Sequence, residues 1–343
     1  MQARYKSCLE TAAMWREQMR HLALRTDVVA TTAGPYALYG STLLEACAAT
    51  GTSYCDLTGE IPWVELMHEK HHKTAEASGA HIVPTAGFDS VPSDLGTFLV
   101  AQKFKDEHGE DCDHVHNYVT DFQGGFQGGT VNSLMHALEN PQTPLKDGKE
   151  MPVLGTTTIS WTKALSYDRL IGKWTFPFFM TPTNAKVVHR SNAQLGYNPK
   201  MTYGESMADS LPKALAWSAA LISVGSALLF PPTRSLVRKY LPQSGEGPSR
   251  ETMENGRFSM VFVASKGDKE TRISWDALGD PSYIATTIYM AETAITLAEN
   301  RGALSLKGGV LTPVSACGNK LWERISKASW ERDGAHHVTL SKC

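Results

Sequence analysis

The stretch that decides the fold is TDVVATTAGPYALYG, residues 26–40. Its apolar run, Val28 to Ala30, ends at two threonines and passes into a turn that contains glycine, proline and tyrosine. A short apolar run bounded by turn residues is typical of a buried strand. The segment therefore predicts a strand that ends near Thr32, and its composition raises the question of what the turn after it does.

The same order of elements recurs twice before residue 105. Apolar runs and turn residues predict strands at 26–32, 52–57 and 80–85, and helices at 42–50, 62–78 and 93–104. Thr42 and Glu45 have the spacing of a capping box at the start of the first of these helices, and Gly51 ends it. Alternating strands and helices of this length predict right-handed crossovers and a parallel sheet, and hence an α/β fold.

Three glycine-containing loops follow the predicted strands, at 33–36, 58–60 and 86–90. In a parallel sheet these loops gather at one edge, where helix N-termini and free backbone N–H groups bind ligands. The loops therefore predict a ligand crevice, to which Tyr36 and Asp89 bring side chains capable of chemistry. The alternative is that they are ordinary turns, because glycine and proline occur in any loop.

After residue 110 the pattern changes to alternating strands and a hairpin around KGDKE, residues 266–270. We predict a first domain at 1–108 with a partial Rossmann-like sheet. A second α+β domain with antiparallel strands would span 109–275, and a C-terminal helical region at 276–343 would pack back on the first. The glycine-rich segment 124–130, GGFQGGT, either contacts a ligand through its N–H groups or forms a close-packed turn.

Composition excludes several classes of function. The formal net charge of −2 gives no basic face for nucleic acid. Six scattered cysteines without a CxxC pair favour a reduced, intracellular and cytoplasmic protein. No P-loop or GxSxG motif is present, and no metal site is predicted.

One segment departs from the average composition. Residues 214–233, ALAWSAALISVGSALLFPPT, contain no charged side chain, whereas Arg234, Arg238 and Lys239 follow closely. The length is just sufficient to span a bilayer, although serine and glycine dilute its hydrophobicity. A buried helix, a helix at a lipid interface and a membrane span all remain open.

Taken together, the loops resemble the saccharopine dehydrogenase-like oxidoreductases, a group that includes the trans-acting enoyl reductases and eukaryotic saccharopine dehydrogenase-like proteins. The resemblance covers residues 26–327. It rests on TTAGPYALYG, YCDLTGE and IVPTAGFDSVPSDLG, followed by GGFQGGT, GEGPSRE, GDPSYIAT and GGVLTPVSACG. It implies an NAD(P)-binding Rossmann domain and hydride transfer to an unsaturated, lipid-linked intermediate, as in glycolipid synthesis.

The resemblance also implies functional residues. Tyr36 and Asp89 are the expected catalytic residues, although packing for Tyr36 and helix capping for Asp89 are alternatives. Glu60 and Asp56 are weaker candidates. The expected contacts of the cofactor, NADP or NAD, are Thr32, Gly34, Pro35, Tyr36, Gly59, Gly87 and Phe88.

The chain departs from the family pattern in one respect, because nothing before residue 26 supplies the GxGxxG strand, turn and helix that bind the pyrophosphate. We therefore expect an N-terminally shortened member of the family. The alternative is a truncated gene product, or a structural protein of a membrane or lipid-droplet surface that has lost cofactor binding. The expected partners are a small or lipid-linked substrate and a membrane or lipid-droplet surface, with a homodimer left open.

Overall fold

The computed structural model describes residues 2–125, 127–139, 159–160, 165–243, 245–329 and 337–341. The strands within these residues are β1 (Val28–Thr31), β2 (Ser53–Asp56), β3 (His81–Val83), β4 (His114–Gln123), β5 (Ile159–Ser160), β6 (Ser166–Asp168), β7 (Lys173–Pro177), β8 (Thr202–Asp209), β9 (Arg257–Lys266), β10 (Lys269–Leu278), β11 (Gly309–Val310) and β12 (Val338–Ser341).

The helices of the described residues alternate with single strands in the first hundred residues and lie between longer groups of strands after that. They are α1 (Gln2–Ala23), α2 (Tyr36–Tyr39), α3 (Ser41–Thr50), α4 (Ile61–Ser78), α5 (Val91–His108), α6 (Gly128–Glu139), α7 (Thr181–Leu195), α8 (Leu211–Leu229), α9 (Pro231–Arg238), α10 (Arg250–Asn255), α11 (Thr286–Glu299), α12 (Pro313–Cys317) and α13 (Asn319–Ile325). One turn of π-helix, Pro281–Ala285, leads into α11.

The first sheet is parallel, in the order β1-β2-β3-β11. Thr31 lies beside Asp56, and Cys55 lies beside Val83, so the first three strands run side by side in one direction. This confirms the parallel α/β prediction. The fourth strand comes from the C-terminal region, which contributes β11 beside β3 as well as helices.

The helix ends follow local chemistry, with one correction. Gly51 and Gly79 end α3 and α4 in the left-handed conformation, with φ of 75° and 78°, which glycine adopts without steric cost. The predicted capping box at Thr42 and Glu45 is wrong. The helix begins at Ser41 after Gly40, and no side chain caps it. The reason is that α2 runs directly into α3, so that the Gly40 N–H donates to the Tyr36 carbonyl at 2.7 Å.

The second sheet has the order β12-β10-β9-β4-β8-β7-β6, with β5 also paired to β8. Strand β4 runs parallel to β8, and the other pairs on this path are antiparallel. The β9–β10 hairpin is the one predicted around KGDKE, with Lys266 opposite Lys269. The structure therefore confirms a second sheet rich in antiparallel pairs.

Helix α5 joins the two sheets. Its buried side chains, among them Val91, Leu95 and Phe104, belong to a core cluster that also contains Val83 of the first sheet and Phe262 of the second. Gly96 of this helix faces the Phe262 ring, and a Cβ atom at Gly96 would overlap that ring. The close approach of helix and sheet thus requires glycine at this position.

We expect Gly96→Ala to lower the free energy of unfolding by about 2 kcal/mol, because the added methyl group overpacks the core against Phe262. Gly225→Ala is the matched control, since Gly225 also lies within a helix but has open space around the position of a Cβ atom. That variant should gain up to about 1 kcal/mol from helix propensity. Urea denaturation of both variants checks the prediction, and equal shifts would contradict it.

Candidate active site

The predicted loops meet at the carboxyl edge of the parallel sheet. Thr32, Gly34 and Gly59 are exposed there, and Glu60 and Asp89 are half-buried. Side chains connect the loops to one another, because Glu60 binds the first loop and Asp56 binds the third. This arrangement brings the residues of all three loops to one edge of the sheet.

The Glu60 carboxylate organises the turn after β1. Its Oε1 accepts a hydrogen bond from the Tyr36 N–H at 2.9 Å, and its Oε2 accepts one from the Ala37 N–H at 2.9 Å. The Ser133 hydroxyl on α6 donates to Oε1 at 3.0 Å. The N–H groups at the start of α2, which would attract an anion, are thus satisfied by a carboxylate of the protein itself. From the sequence, Glu60 was only a weaker candidate for a catalytic residue.

Asp56, at the end of β2, is fully buried. Its Oδ2 accepts a hydrogen bond from the Tyr54 hydroxyl at 2.7 Å, and its Oδ1 accepts from the N–H groups of Thr58 at 2.9 Å and Thr85 at 3.2 Å. These bonds fix the loops after β2 and β3, and Thr85 is held at a φ of 63°. Burial raises the pKa of Asp56 to about 7, even though its hydrogen bonds act in the opposite direction.

Asp56→Asn should make stability less dependent on pH. Because the pKa of Asp56 is raised in the folded protein, its contribution to stability is fully present below its unfolded value of about 4 and is lost as the pH rises through about 7. The wild type should therefore lose about 2 kcal/mol more than the variant between pH values of about 5 and 8. Asparagine keeps an oxygen for Thr58 and Thr85.

Chemical denaturation of both proteins at the two pH values measures this difference. Every other titrating group is common to the two proteins, so the comparison isolates Asp56. An equal loss of stability in both would show that Asp56 has the same pKa in the folded and unfolded chains.

Tyr36 is buried, with 5% of its surface exposed, and its ring lies 5.8 Å from that of Trp63. Its hydroxyl donates to the Thr31 carbonyl at 3.2 Å, close to the end of β1. Burial, followed by the nearby Asp56 carboxylate, raises the pKa of Tyr36 above its usual value. This position favours the packing alternative for Tyr36, because its hydroxyl already has a partner inside the protein.

Asp89 has different surroundings. Its side chain is half-buried, and burial raises its pKa to about 6. Within the part of the chain that the structure describes, no hydrogen bond or ion pair reaches its carboxylate. Helix α5 begins after Ser90 without a side-chain cap, so Asp89 does not play the alternative role of helix cap. A carboxyl group with a raised pKa and no structural partner is suited to exchange protons with a ligand.

Gly87 and Phe88 form the buried part of the third loop. A Cβ atom on Gly87 would lie 3.3 Å from both Leu57 and Thr286, and the Phe88 N–H donates to the Thr286 hydroxyl at 3.1 Å. The Phe88 ring packs edge-on against Phe258 at 4.7 Å. Both residues are buried, whereas Thr32, Gly34 and Gly59 are exposed and Pro35 is half-buried.

The later motifs pack on one another beside this edge. A Cβ atom on Gly124 or Gly125 would meet Pro281 or Pro248, each at 2.7 Å, and the Gly128 N–H donates to the Glu246 carbonyl at 3.0 Å. GGFQGGT therefore contacts both GEGPSRE and GDPSYIAT. This contact favours the close-packed turn at Gly124 and Gly125.

A buried polar cluster beneath the third loop escaped the sequence analysis. Glu205 on β8 accepts hydrogen bonds from Ser93 at 2.7 Å, Asn117 at 2.8 Å and Asn184 at 3.1 Å. Burial raises the pKa of Glu205, and the Ser90 hydroxyl next to Asp89 donates to Asn184 at 3.4 Å. The cluster ties α5 and the third loop to the second sheet. No spacing in the sequence links these positions, which come from four separate elements.

The described edge fits the nicotinamide end of a dinucleotide better than its pyrophosphate. Thr32, Gly34 and Gly59 are exposed at this edge and could contact the ring end of a dinucleotide. A pyrophosphate needs free N–H groups at a helix start. Those of α2 are bound to Glu60, and the first turn of α5 is buried. The sequence contains no GxGxxG that would replace them.

Comparison with known proteins identifies the family of this chain. No protein-family model matches the chain. The chain is 35% identical over 340 residues to a Mycobacterium tuberculosis protein assigned to the trans-acting enoyl reductases, and 33% identical over 334 residues to the trans-acting enoyl reductase of Mycobacterium leprae. Each match covers 90% of this chain and 80% of the relative.

Among solved structures, apo saccharopine dehydrogenase (L-Glu forming) from Saccharomyces cerevisiae is similar over 96% of this chain and 87% of its own. The TM-score is 0.47 and the identity 11%, values too low to support an argument about function. The sequence relatives carry the assignment, because their identity exceeds 30% over four fifths of their length. The chain belongs to the trans-acting enoyl reductase family.

Proposed function

We propose that the protein reduces a carbon–carbon double bond of a lipid-linked intermediate in glycolipid synthesis, with NADPH or NADH as the hydride donor. Family membership supports the reaction class. The observation that carries the proposal is Asp89, a half-buried carboxyl group with a pKa raised to about 6 at the edge where the three loops meet. An acid of this pKa can donate a proton near neutral pH.

In this mechanism Thr32, Gly34, Pro35 and Gly59 would hold the ring end of the cofactor, which would supply the hydride that the β-carbon of the double bond accepts. Asp89 donates its proton to the α-carbon, so that the double bond becomes a single bond and the carboxylate regains a proton from water. Glu60 and Asp56 position the loops, since their oxygen atoms bind backbone N–H groups. Tyr36 stabilises the turn after β1, because its buried hydroxyl donates to the Thr31 carbonyl.

The test combines the protein with NADPH or NADH and a long-chain 2-enoyl thioester. Mass spectrometry should show a product that has gained two hydrogen atoms, in step with oxidation of the cofactor. In deuterated water with unlabelled cofactor, the product should carry one deuterium, at the α-carbon. Absence of turnover with binding of both cofactors intact would contradict the proposed substrate class. Absence of cofactor binding would contradict the redox function itself.

One observation favours a second candidate, a lipid-surface protein without redox chemistry. The N–H groups of α2 are occupied by Glu60, and the described sheet edge offers no pyrophosphate cradle in their place. Fluorescence titration with NADPH distinguishes the two functions. Saturable binding supports the reductase, whereas absence of binding at millimolar cofactor supports the surface protein.

A further inference from the structure

Helix α8 is apolar but lies outside the core. Among the described helices, α8 is long and apolar enough to cross a membrane. Only 11% of its most apolar stretch of 18 residues is buried inside the protein. Ala214 and Leu228 are its buried residues. Large apolar side chains are exposed along α8 and the segment after it, namely Leu215, Trp217, Ile222, Val224, Leu229, Phe230 and Leu236. An exposed apolar surface of this kind marks an interaction site.

Both ends of α8 are attached to the same folded body. At its start, Ala214 is buried in the core cluster that also contains Phe262. At its end, Leu228 packs with Val131 and Met135 of α6. A helix fixed to one body at both ends lies along the surface of that body, so it is suited to lie in the plane of an interface rather than to cross it.

The charged side chains of this segment are all cations, although Lys213 pairs with Asp209 at 3.5 Å and Arg238 pairs with Glu139 at 3.4 Å. Residues 210–241 contain four cations and no carboxylate; the cations are Lys213, Arg234, Arg238 and Lys239. Trp217 and Tyr240, with exposures of 40% and 83%, add the aromatic side chains that favour the boundary between lipid and water. Two copies of this surface would bring like charges together. An anionic partner is complementary to it.

We propose that α8 and α9 dock on a bilayer that contains anionic lipids. The outer face of α8 enters the acyl region, and the cations on α9 and directly after it, Lys239 among them, contact the headgroups. This inference does not depend on the redox chemistry. It places the lipid surface one helix away from the candidate site, because α6 contacts Leu228 on one side and donates from Ser133 to Glu60 on the other.

Vesicle flotation tests the proposal with the full chain. The wild type should float with phosphatidylcholine vesicles that contain phosphatidylserine, and should bind less to phosphatidylcholine alone or at high salt. Ile222→Glu should weaken binding at least ten-fold, because it removes a side chain from the acyl region. Lys239→Ser should weaken binding to anionic vesicles about five-fold. Leu24→Glu, at an exposed leucine outside this surface, is the control and should bind as the wild type does.

The altered side chains are exposed, and circular dichroism checks that each variant is folded. Failure of the folded wild type to float with anionic vesicles at low salt would overturn the proposal. Light scattering, which measures the oligomeric state, tests whether a second copy of the chain covers this surface instead. If the wild type is a dimer that Ile222→Glu converts to a monomer, and neither binds vesicles, the surface is an interface between copies of the chain.

Discussion

Glu60→Ala is expected to lower the free energy of unfolding by about 3 kcal/mol. The substitution removes a carboxylate that accepts hydrogen bonds from the Tyr36 N–H, the Ala37 N–H and the Ser133 hydroxyl. Hydrogen bonds to a charged acceptor contribute about 1.5–3 kcal/mol each, and water partly replaces them at a half-buried position. Glu60→Gln should cost nearly as much, because its amide group would face an N–H donor.

Urea denaturation measures the loss, with Glu69→Ala as the matched control. Glu69 is exposed on α4, the helix that begins directly after Glu60, so its removal should change stability by less than about 0.5 kcal/mol. A double-mutant cycle with Ser133→Ala tests the link to α6. Ser133→Ala should cost about 1 kcal/mol in the wild type and almost nothing in the Glu60→Ala background. Additive losses would show that Ser133 and Glu60 do not act together.

The parallel sheet could be predicted because its evidence is local. Each of the first three strands is a short apolar run between turn residues, and its helix follows within the next ten residues. The fourth strand could not be found in this way. Gly309–Val310 is only two residues long, and its partner His81 lies more than two hundred residues earlier. Pairing at that separation depends on tertiary packing, which periodicity does not record.

The position of the three loops at one sheet edge could be predicted from the sequence, but the contacts between them could not. The sequence places Tyr36 at a turn beside a sheet edge. The orientation of its ring depends on packing against Trp63, which lies on α4. Glu60 organises the first loop because it accepts hydrogen bonds from the N–H groups of Tyr36 and Ala37, which lie twenty-four and twenty-three residues earlier. Of the three states left open for the apolar segment, the buried helix differs from the other two in exposure. That property depends on the neighbours of α8, and the structure leaves most of this helix exposed.

Asp89→Asn is expected to lower the rate of enoyl reduction at least 100-fold while leaving the affinity for NADPH unchanged. Asparagine has nearly the same shape but no acidic proton, and loss of a general acid typically costs about 10²–10⁴ in rate. Since burial raises the pKa of Asp89 and no hydrogen bond or ion pair reaches its carboxylate within the described residues, the substitution should leave stability nearly unchanged at a pH of about 4 and raise it above a pH of about 6. Single-turnover rates and cofactor titration together check the prediction. Equal losses in rate and in cofactor affinity would indicate a binding role.

The pH profile separates catalysis from structure. Asp89 must be protonated to act as an acid, and burial raises its pKa to about 6, so the rate should fall as the pH rises through that value. Asp56→Asn is the matched control, because Asp56 is the fully buried carboxyl of the same edge, with a pKa raised to about 7. That variant should keep the fall near pH 6, whereas the residual rate of Asp89→Asn should lack it. If the fall persisted without Asp89, the proton would come from another group.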